Sequence, residues 1–152
     1  MLEEDGERTM NFLSVLAAGL IAGYAMAFVG YRMQGFLKLP RIDVSETGLI
    51  YFDDDGPSRW WIGMLAHEMD SVLFGLAFAG LLYTHLPGWG WLKGLIFGAL
   101  LWLVVSLTAM IARAGGAKVF RTTMPMTMPH ILANLLLHLI YGFVLGALYV
   151  PP

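Results

Sequence analysis

Four long apolar segments dominate the pattern of hydrophobic and polar positions along the chain. They predict helices at about residues 12–34, 60–84, 89–113 and 129–150. A bilayer core about 30 Å thick needs roughly 20 apolar residues of helix, and each segment meets that length. The pattern therefore predicts an all-α polytopic membrane protein, with one four-helix transmembrane domain over residues 12–152 after an acidic tail at residues 1–11.

The four segments contain an internal repeat. Residues 19–23 of the first segment read Gly-Leu-Ile-Ala-Gly, and residues 94–98 of the third read Gly-Leu-Ile-Phe-Gly. In the second and fourth segments, residues 74–81 align with residues 141–148 through matching aromatic, glycine and leucine positions. We therefore interpret the chain as two copies of one helical hairpin, related as a parallel repeat.

Composition agrees with this fold class. The chain is 58% hydrophobic and 13% charged, with a mean hydropathy of +0.68, which leaves too little polar surface for a soluble domain. We expect the first segment to be retained, because the residues before it are acidic where a signal peptide is basic. The absence of cysteine excludes disulfides and thiolate-bound metal or iron–sulfur sites.

The distribution of basic residues predicts the orientation of the helices. Lys and Arg in short loops favour the cytoplasmic side of the membrane. Seven of the nine basic residues lie between the end of the first segment and the start of the second, or between the end of the third and the start of the fourth, with Arg32 and Arg113 in the last residues of the segments. They are Arg32, Lys38, Arg41, Arg59, Arg113, Lys118 and Arg121. Both termini are therefore predicted on the non-cytoplasmic side.

Glycines predict how the helices pack. Lipid tails are as apolar as leucine, so close backbone contact between small residues must hold helices together in a bilayer. Helical spacing places such residues on ridges of the first, third and fourth helices. These are Gly19 and Gly23, Gly94 and Gly98, and Gly142 and Gly146. We favour packing within the chain, and oligomerisation is the alternative.

Polar residues inside the segments are the best functional candidates, because a charged group within the bilayer must find a partner. His67 and His138 fall at comparable depths and are candidate ligands of haem or another metal, while His130 lies nearer the membrane border. Glu68, Asp70 and Asn134 complete a candidate polar core. A structural hydrogen-bond network is the interpretation we favour over a metal site.

A methionine-rich loop precedes the fourth segment. Met124, Met126 and Met128 alternate along it before His130, a pattern suited to a soft metal such as Cu(I). The orientation above places this loop in the cytoplasm, where free copper is scarce. We therefore favour a structural role, with Pro129 starting the fourth helix.

Several of these residues carry a resemblance to a known family. Residues 39–44 read Leu-Pro-Arg-Ile-Asp-Val, residues 91–98 read Trp-Leu-Lys-Gly-Leu-Ile-Phe-Gly, and residues 138–142 read His-Leu-Ile-Tyr-Gly. The chain resembles a family of small four-helix bacterial membrane proteins of unknown function. The resemblance implies a fold and no activity. We expect the protein in the bacterial inner membrane.

These observations favour a protein without catalytic chemistry of its own. The sequence contains no phosphate-binding loop, no Gly-x-Ser-x-Gly turn, no His-Glu-x-x-His motif and no basic patch for nucleic acid. We expect an accessory or structural subunit that contacts the lipid bilayer and other membrane-protein subunits. The alternative is a haem b- or metal-binding membrane redox protein that uses His67 and His138.

Overall fold

The computed structural model describes residues 10–46, 56–116 and 127–152. Over these residues the protein is all-helical and has four long helices. They are α1 (Phe12–Phe36), α2 (Arg59–Ala77, continued by a π-helical turn at Phe78–Leu82), α3 (Gly90–Ala114) and α4 (Met128–Leu148). Each end lies within two residues of its predicted position.

Local chemistry accounts for several helix ends. The Asn11 side chain accepts a hydrogen bond of 3.1 Å from the Ser14 N–H and caps α1. Pro129 occupies the first turn of α4, where its missing N–H has no helical acceptor. Gly88 has a φ of +91° in the turn between α2 and α3, a conformation that favours glycine.

All four helices are long and apolar enough to cross a membrane. Only 22–39% of the residues in the most apolar part of each helix are buried inside the protein. Most apolar side chains therefore face outward, as expected when the surrounding solvent is lipid.

Successive helices run in opposite directions. α1 packs against α2 and α4, and α4 also packs against α3. The Val150 N–H donates to the Ser14 hydroxyl at 2.8 Å, and the rings of Tyr83 and Tyr149 lie 5.0 Å apart. Both ends of the described chain and the α2–α3 connection therefore lie at the same end of the bundle.

The two hairpins pack in the same register. The backbone of Gly23 on α1 lies against Ser71 on α2, and the backbone of Gly98 on α3 lies against His138 on α4. Gly23 aligns with Gly98 in the repeat, and extending the alignment of Phe74 with Tyr141 back by three residues pairs Ser71 with His138. Equivalent residues therefore make the two helix–helix contacts.

The segment that follows α1 folds back along the helices. The Ile42 N–H donates to the Gly30 carbonyl at 3.0 Å, which fixes the segment beside α1. Further along, the Ser45 carbonyl lies directly against the Cα of Gly63 on α2, where a Cβ would collide with it. This segment thus fills the space between the ends of α1 and α2.

Candidate functional site

Polar side chains are buried halfway along the helices. His67, Glu68 and Ser71 are buried on α2, and His138 is buried on α4. Ser71 lies near the middle of the segment formed by α2 and its π-helical turn, and His138 lies at the middle of α4. We refer to these residues, with Gly23, Asn134 and Tyr141, as the central polar cluster.

The α2 members of the cluster are bonded to backbone carbonyls. His67 Nε2 lies 3.2 Å from the Gly23 carbonyl, and because a carbonyl only accepts, Nε2 must carry the hydrogen. The Ser71 hydroxyl donates to the carbonyl of His67 at 2.8 Å. Both side chains therefore use a hydrogen to satisfy backbone acceptors.

The α4 members repeat one of these bonds and add another. His138 Nδ1 donates to the Asn134 carbonyl at 2.9 Å, and the Tyr141 hydroxyl donates to the Ser71 carbonyl at 2.5 Å. In the repeat His67 aligns with Asn134, and Ser71 aligns with His138. The side chains of Ser71 and His138 are thus each bonded to the backbone carbonyl four residues earlier. The Tyr141 hydroxyl adds a bond between the two hairpins.

Glu68 differs from its neighbours. Both of its carboxyl oxygens are buried, and neither has a hydrogen-bond partner among the described residues. A Cβ added to Gly23 would lie 2.7 Å from Oε2 of Glu68 and 2.6 Å from the Ser71 hydroxyl oxygen. Gly23 therefore leaves room for two polar side chains between α1 and α2.

The remaining candidate site residues lie outside the contact of Gly23 with Glu68 and Ser71. Asp70 is half-buried on α2 and takes part in an interaction of its own. Asn134 is half-buried, and its Oδ1 has no hydrogen-bond partner among the residues that the structure describes. His130 Nδ1 pairs with the Thr127 hydroxyl at 2.7 Å, roughly 12 Å along α4 from His138.

The methionine-rich loop is only partly covered by the structure. Met128 is exposed at the start of α4, whereas Met124 and Met126 lie outside the described residues. The copper interpretation therefore stays a prediction.

The geometry of the histidines bears on the haem interpretation. His67 and His138 are close enough to interact electrostatically. Because His67 Nε2 donates to the Gly23 carbonyl, this nitrogen would have to give up that bond to ligate a metal. Within residues 10–46, 56–116 and 127–152, no group of three or more His, Asp or Glu side chains is arranged to hold a metal ion. His67 takes part in the hydrogen-bond network of this structure, and the haem interpretation stays a prediction.

Sequence reasoning missed the roles of Ser71 and Tyr141 in this cluster. The repeat contained the signal for Ser71, because extending the alignment of Phe74 with Tyr141 pairs Ser71 with His138. Nothing comparable marked Tyr141, since its partner in the repeat is a phenylalanine without a hydroxyl.

Comparison with known proteins identifies the family. Residues 10–150 match a family described as "Family of unknown function (DUF6789)", and the chain belongs to this family. The expected resemblance to an uncharacterised family is thereby confirmed. No curated protein and no solved structure matches the chain.

Proposed function

We propose that this member of the DUF6789 family is an accessory subunit of the bacterial inner membrane, which packs against other membrane proteins and has no catalytic chemistry of its own. The observation that carries the proposal is the large apolar surface on the outer faces of the helices. Leu65 on α2 is 72% exposed, and Ile111 on α3 is 73% exposed. A continuous apolar surface needs lipid or protein to cover it.

The internal packing explains why this surface is available. Between α3 and α4, the backbones of Gly94 and Gly98 lie directly against those of Gly142 and Gly146. Because small residues make these contacts, many large side chains remain on the outside. A partner helix would therefore meet leucine, isoleucine and aromatic side chains.

The ends of the helices support a membrane location. Trp60, Trp61, Trp89 and Trp91 are exposed next to the starts of α2 and α3. Tryptophan favours the headgroup layer, so these residues would mark the two borders of the bilayer. The excess of basic residues after α1 and α3 favours both termini on the non-cytoplasmic side.

Site-specific photo-crosslinking in cells that naturally make the protein tests the proposed role. A photoreactive amino acid would replace one outward residue on each helix in turn: Leu13, Leu65, Leu103 and Phe143. We expect at least one position to give an adduct with another membrane protein of defined mass, with the other positions labelling lipid. Thr84, which is exposed in the α2–α3 connection, serves as the control position.

Two results would contradict the proposal. If no outward position on any of the four helices gives a protein adduct, the subunit role fails. If the purified protein shows the Soret absorbance of bound haem, and His138→Leu removes it while the helices remain folded, a redox function takes its place.

A further inference from the structure

The carboxyl group of Glu68 is buried, and no hydrogen-bond donor among the described residues stabilises it. The residue is only 7% exposed, and both oxygens are buried with no donor among the described residues. It lies halfway along helices that are long and apolar enough to cross a membrane. Burial between apolar helices strongly disfavours the ionised form, and no hydrogen-bond donor among the described residues offsets that cost.

On the described part of the chain, the polar groups near Glu68 already donate their hydrogens to backbone carbonyls. On α1 the facing residue is Gly23, which has no side chain. On α2 the His67 Nε2 hydrogen and the Ser71 hydroxyl hydrogen both go to carbonyls, and on α4 the Tyr141 hydroxyl hydrogen goes to the Ser71 carbonyl. An anionic carboxylate needs donors, whereas a neutral carboxylic acid carries a hydrogen of its own to donate.

The other titratable groups nearby do not supply a positive charge. Tyr141 lies within electrostatic range of Glu68, and His138 within range of His67. Asp70, two residues further along α2, is itself an acid. A neutral imidazole at His67, with its hydrogen on Nε2, presents an acceptor at Nδ1.

The second hairpin has no acid at the equivalent position. Extending the alignment of Phe74 with Tyr141 back by six residues pairs Glu68 with Leu135. The two hairpins have the same register, and the second one has an apolar leucine there. The carboxyl group is therefore an addition to the shared fold.

We propose that Glu68 is a proton-binding site at the centre of the bundle, where its carboxyl group takes up and releases one proton. The buried position favours the neutral acid, because no donor among the described residues stabilises the carboxylate. Release of the proton leaves a carboxylate against the Cα of Gly23, so the charge on Glu68 is coupled to the contact between α1 and α2. This site goes beyond the proposed accessory role, which assigns no chemistry to the chain.

Labelling with dicyclohexylcarbodiimide tests the site directly. This hydrophobic reagent reacts with neutral carboxylic acids inside membranes: the carboxyl O–H adds across one C=N bond, and the adduct rearranges to a stable N-acylurea without loss of atoms. In the full-length protein reconstituted in lipid vesicles at neutral pH, we expect one adduct per chain, on the peptide that contains Glu68. The reaction should slow as the pH is raised and the acid ionises.

Two variants make the labelling experiment specific. Glu68→Gln should abolish the adduct, whereas the matched variant Asp70→Asn, which removes the neighbouring acid on the same helix, should keep it. Absence of the adduct from folded wild-type protein, or its persistence in Glu68→Gln, would overturn the proposal. Slowing of the reaction by sodium, compared with choline at the same pH and ionic strength, would also overturn it, because an alkali cation would then occupy the site.

Infrared spectroscopy gives a second test that requires no reagent. The wild-type protein should show the carbonyl stretch of a neutral carboxylic acid at neutral pH, and this band should shift in heavy water. Asp70→Asn should retain the band and Glu68→Gln should lose it, with circular dichroism confirming that each variant is helical. If Glu68→Gln fails to fold, loss of the wild-type band on raising the pH serves instead, and a wild-type protein without the band contradicts the proposal. Neither test depends on a partner protein, so failure here leaves the accessory role untouched.

Discussion

Replacing Gly142 by alanine should push α3 and α4 apart, whereas the same change at Gly75, its equivalent in the first hairpin, should be tolerated. A Cβ on Gly142 would lie 2.9 Å from both the N and the Cα of Gly98, and it would also collide with the Gly94 carbonyl. These are backbone atoms, so the helices themselves must move. A Cβ on Gly75 meets nothing closer than 3.5 Å, and its two nearest atoms belong to side chains.

The expected change in stability is the sum of two opposing effects. Alanine is favoured over glycine in a helix by about 0.8–1.0 kcal/mol, which applies at both positions. Overpacking a tight contact typically costs about 1–3 kcal/mol, because a gap of roughly 0.5–1 Å forfeits a quarter to a half of each dispersion contact. Only Gly142 incurs this cost. We expect Gly142→Ala to lose up to about 2 kcal/mol of stability, and Gly75→Ala to change between zero and a gain of about 1 kcal/mol.

Equilibrium unfolding in mixed micelles with increasing dodecyl sulfate, followed by circular dichroism, measures these differences. Gly35→Ala is the control for helix propensity alone, because a Cβ at that position meets no atom within 4 Å. The reasoning is refuted if Gly75→Ala is destabilised as much as Gly142→Ala, or if Gly142→Ala behaves like the control.

Two further predictions concern orientation and the link between the hairpins. With cysteines introduced at the exposed residues Glu46 and Thr84, an impermeant thiol reagent should label only Thr84→Cys in intact cells, and the reverse pattern would overturn the proposed orientation. Tyr141→Phe should lower the stability by about 0.6–1.7 kcal/mol in the same unfolding assay, because it removes the hydrogen bond to Ser71; an unchanged stability would show that this bond contributes nothing.

Helix positions could be predicted because the outward faces of the helices determine them. Most residues in the most apolar part of each helix are not buried inside the protein, so a long hydrophobic run alone marks each segment. The glycine pairs between α3 and α4 could be recognised for a related reason: spacing along a helix fixes which residues share a face, whichever neighbour they contact.

The sequence predicts Glu68 as a member of the polar core, but the contact that buries it could not be predicted in the same way. The helical pattern places Glu68 on one flank of the stripe that contains His67 and Ser71, which gives no reason to expect full burial. It is buried because Gly23 on the neighbouring helix leaves a space beside it. A sequence does not show which residue of one helix faces which residue of another.

Backbone contacts are also hard to recognise in a sequence. Gly63 lies against the Ser45 carbonyl, and any residue at position 45 would present the same carbonyl. The π-helical turn at Phe78–Leu82 is similar, since its bond from the Tyr83 N–H to the Phe78 carbonyl involves main chain only. Side-chain patterns do not encode such contacts.

The repeat separates what the fold requires from what this chain adds to it. Where the hairpins agree, as at the glycines and at the side-chain bonds of Ser71 and His138, packing accounts for the residues. Where equivalent residues differ, both hairpins still pack, so packing does not explain the difference. The Tyr141 hydroxyl, absent from Phe74, joins the two hairpins through the Ser71 carbonyl. The equivalent of Glu68 in the second hairpin is apolar, and Glu68 makes no such bond among the described residues. For this reason we propose a chemical role for Glu68.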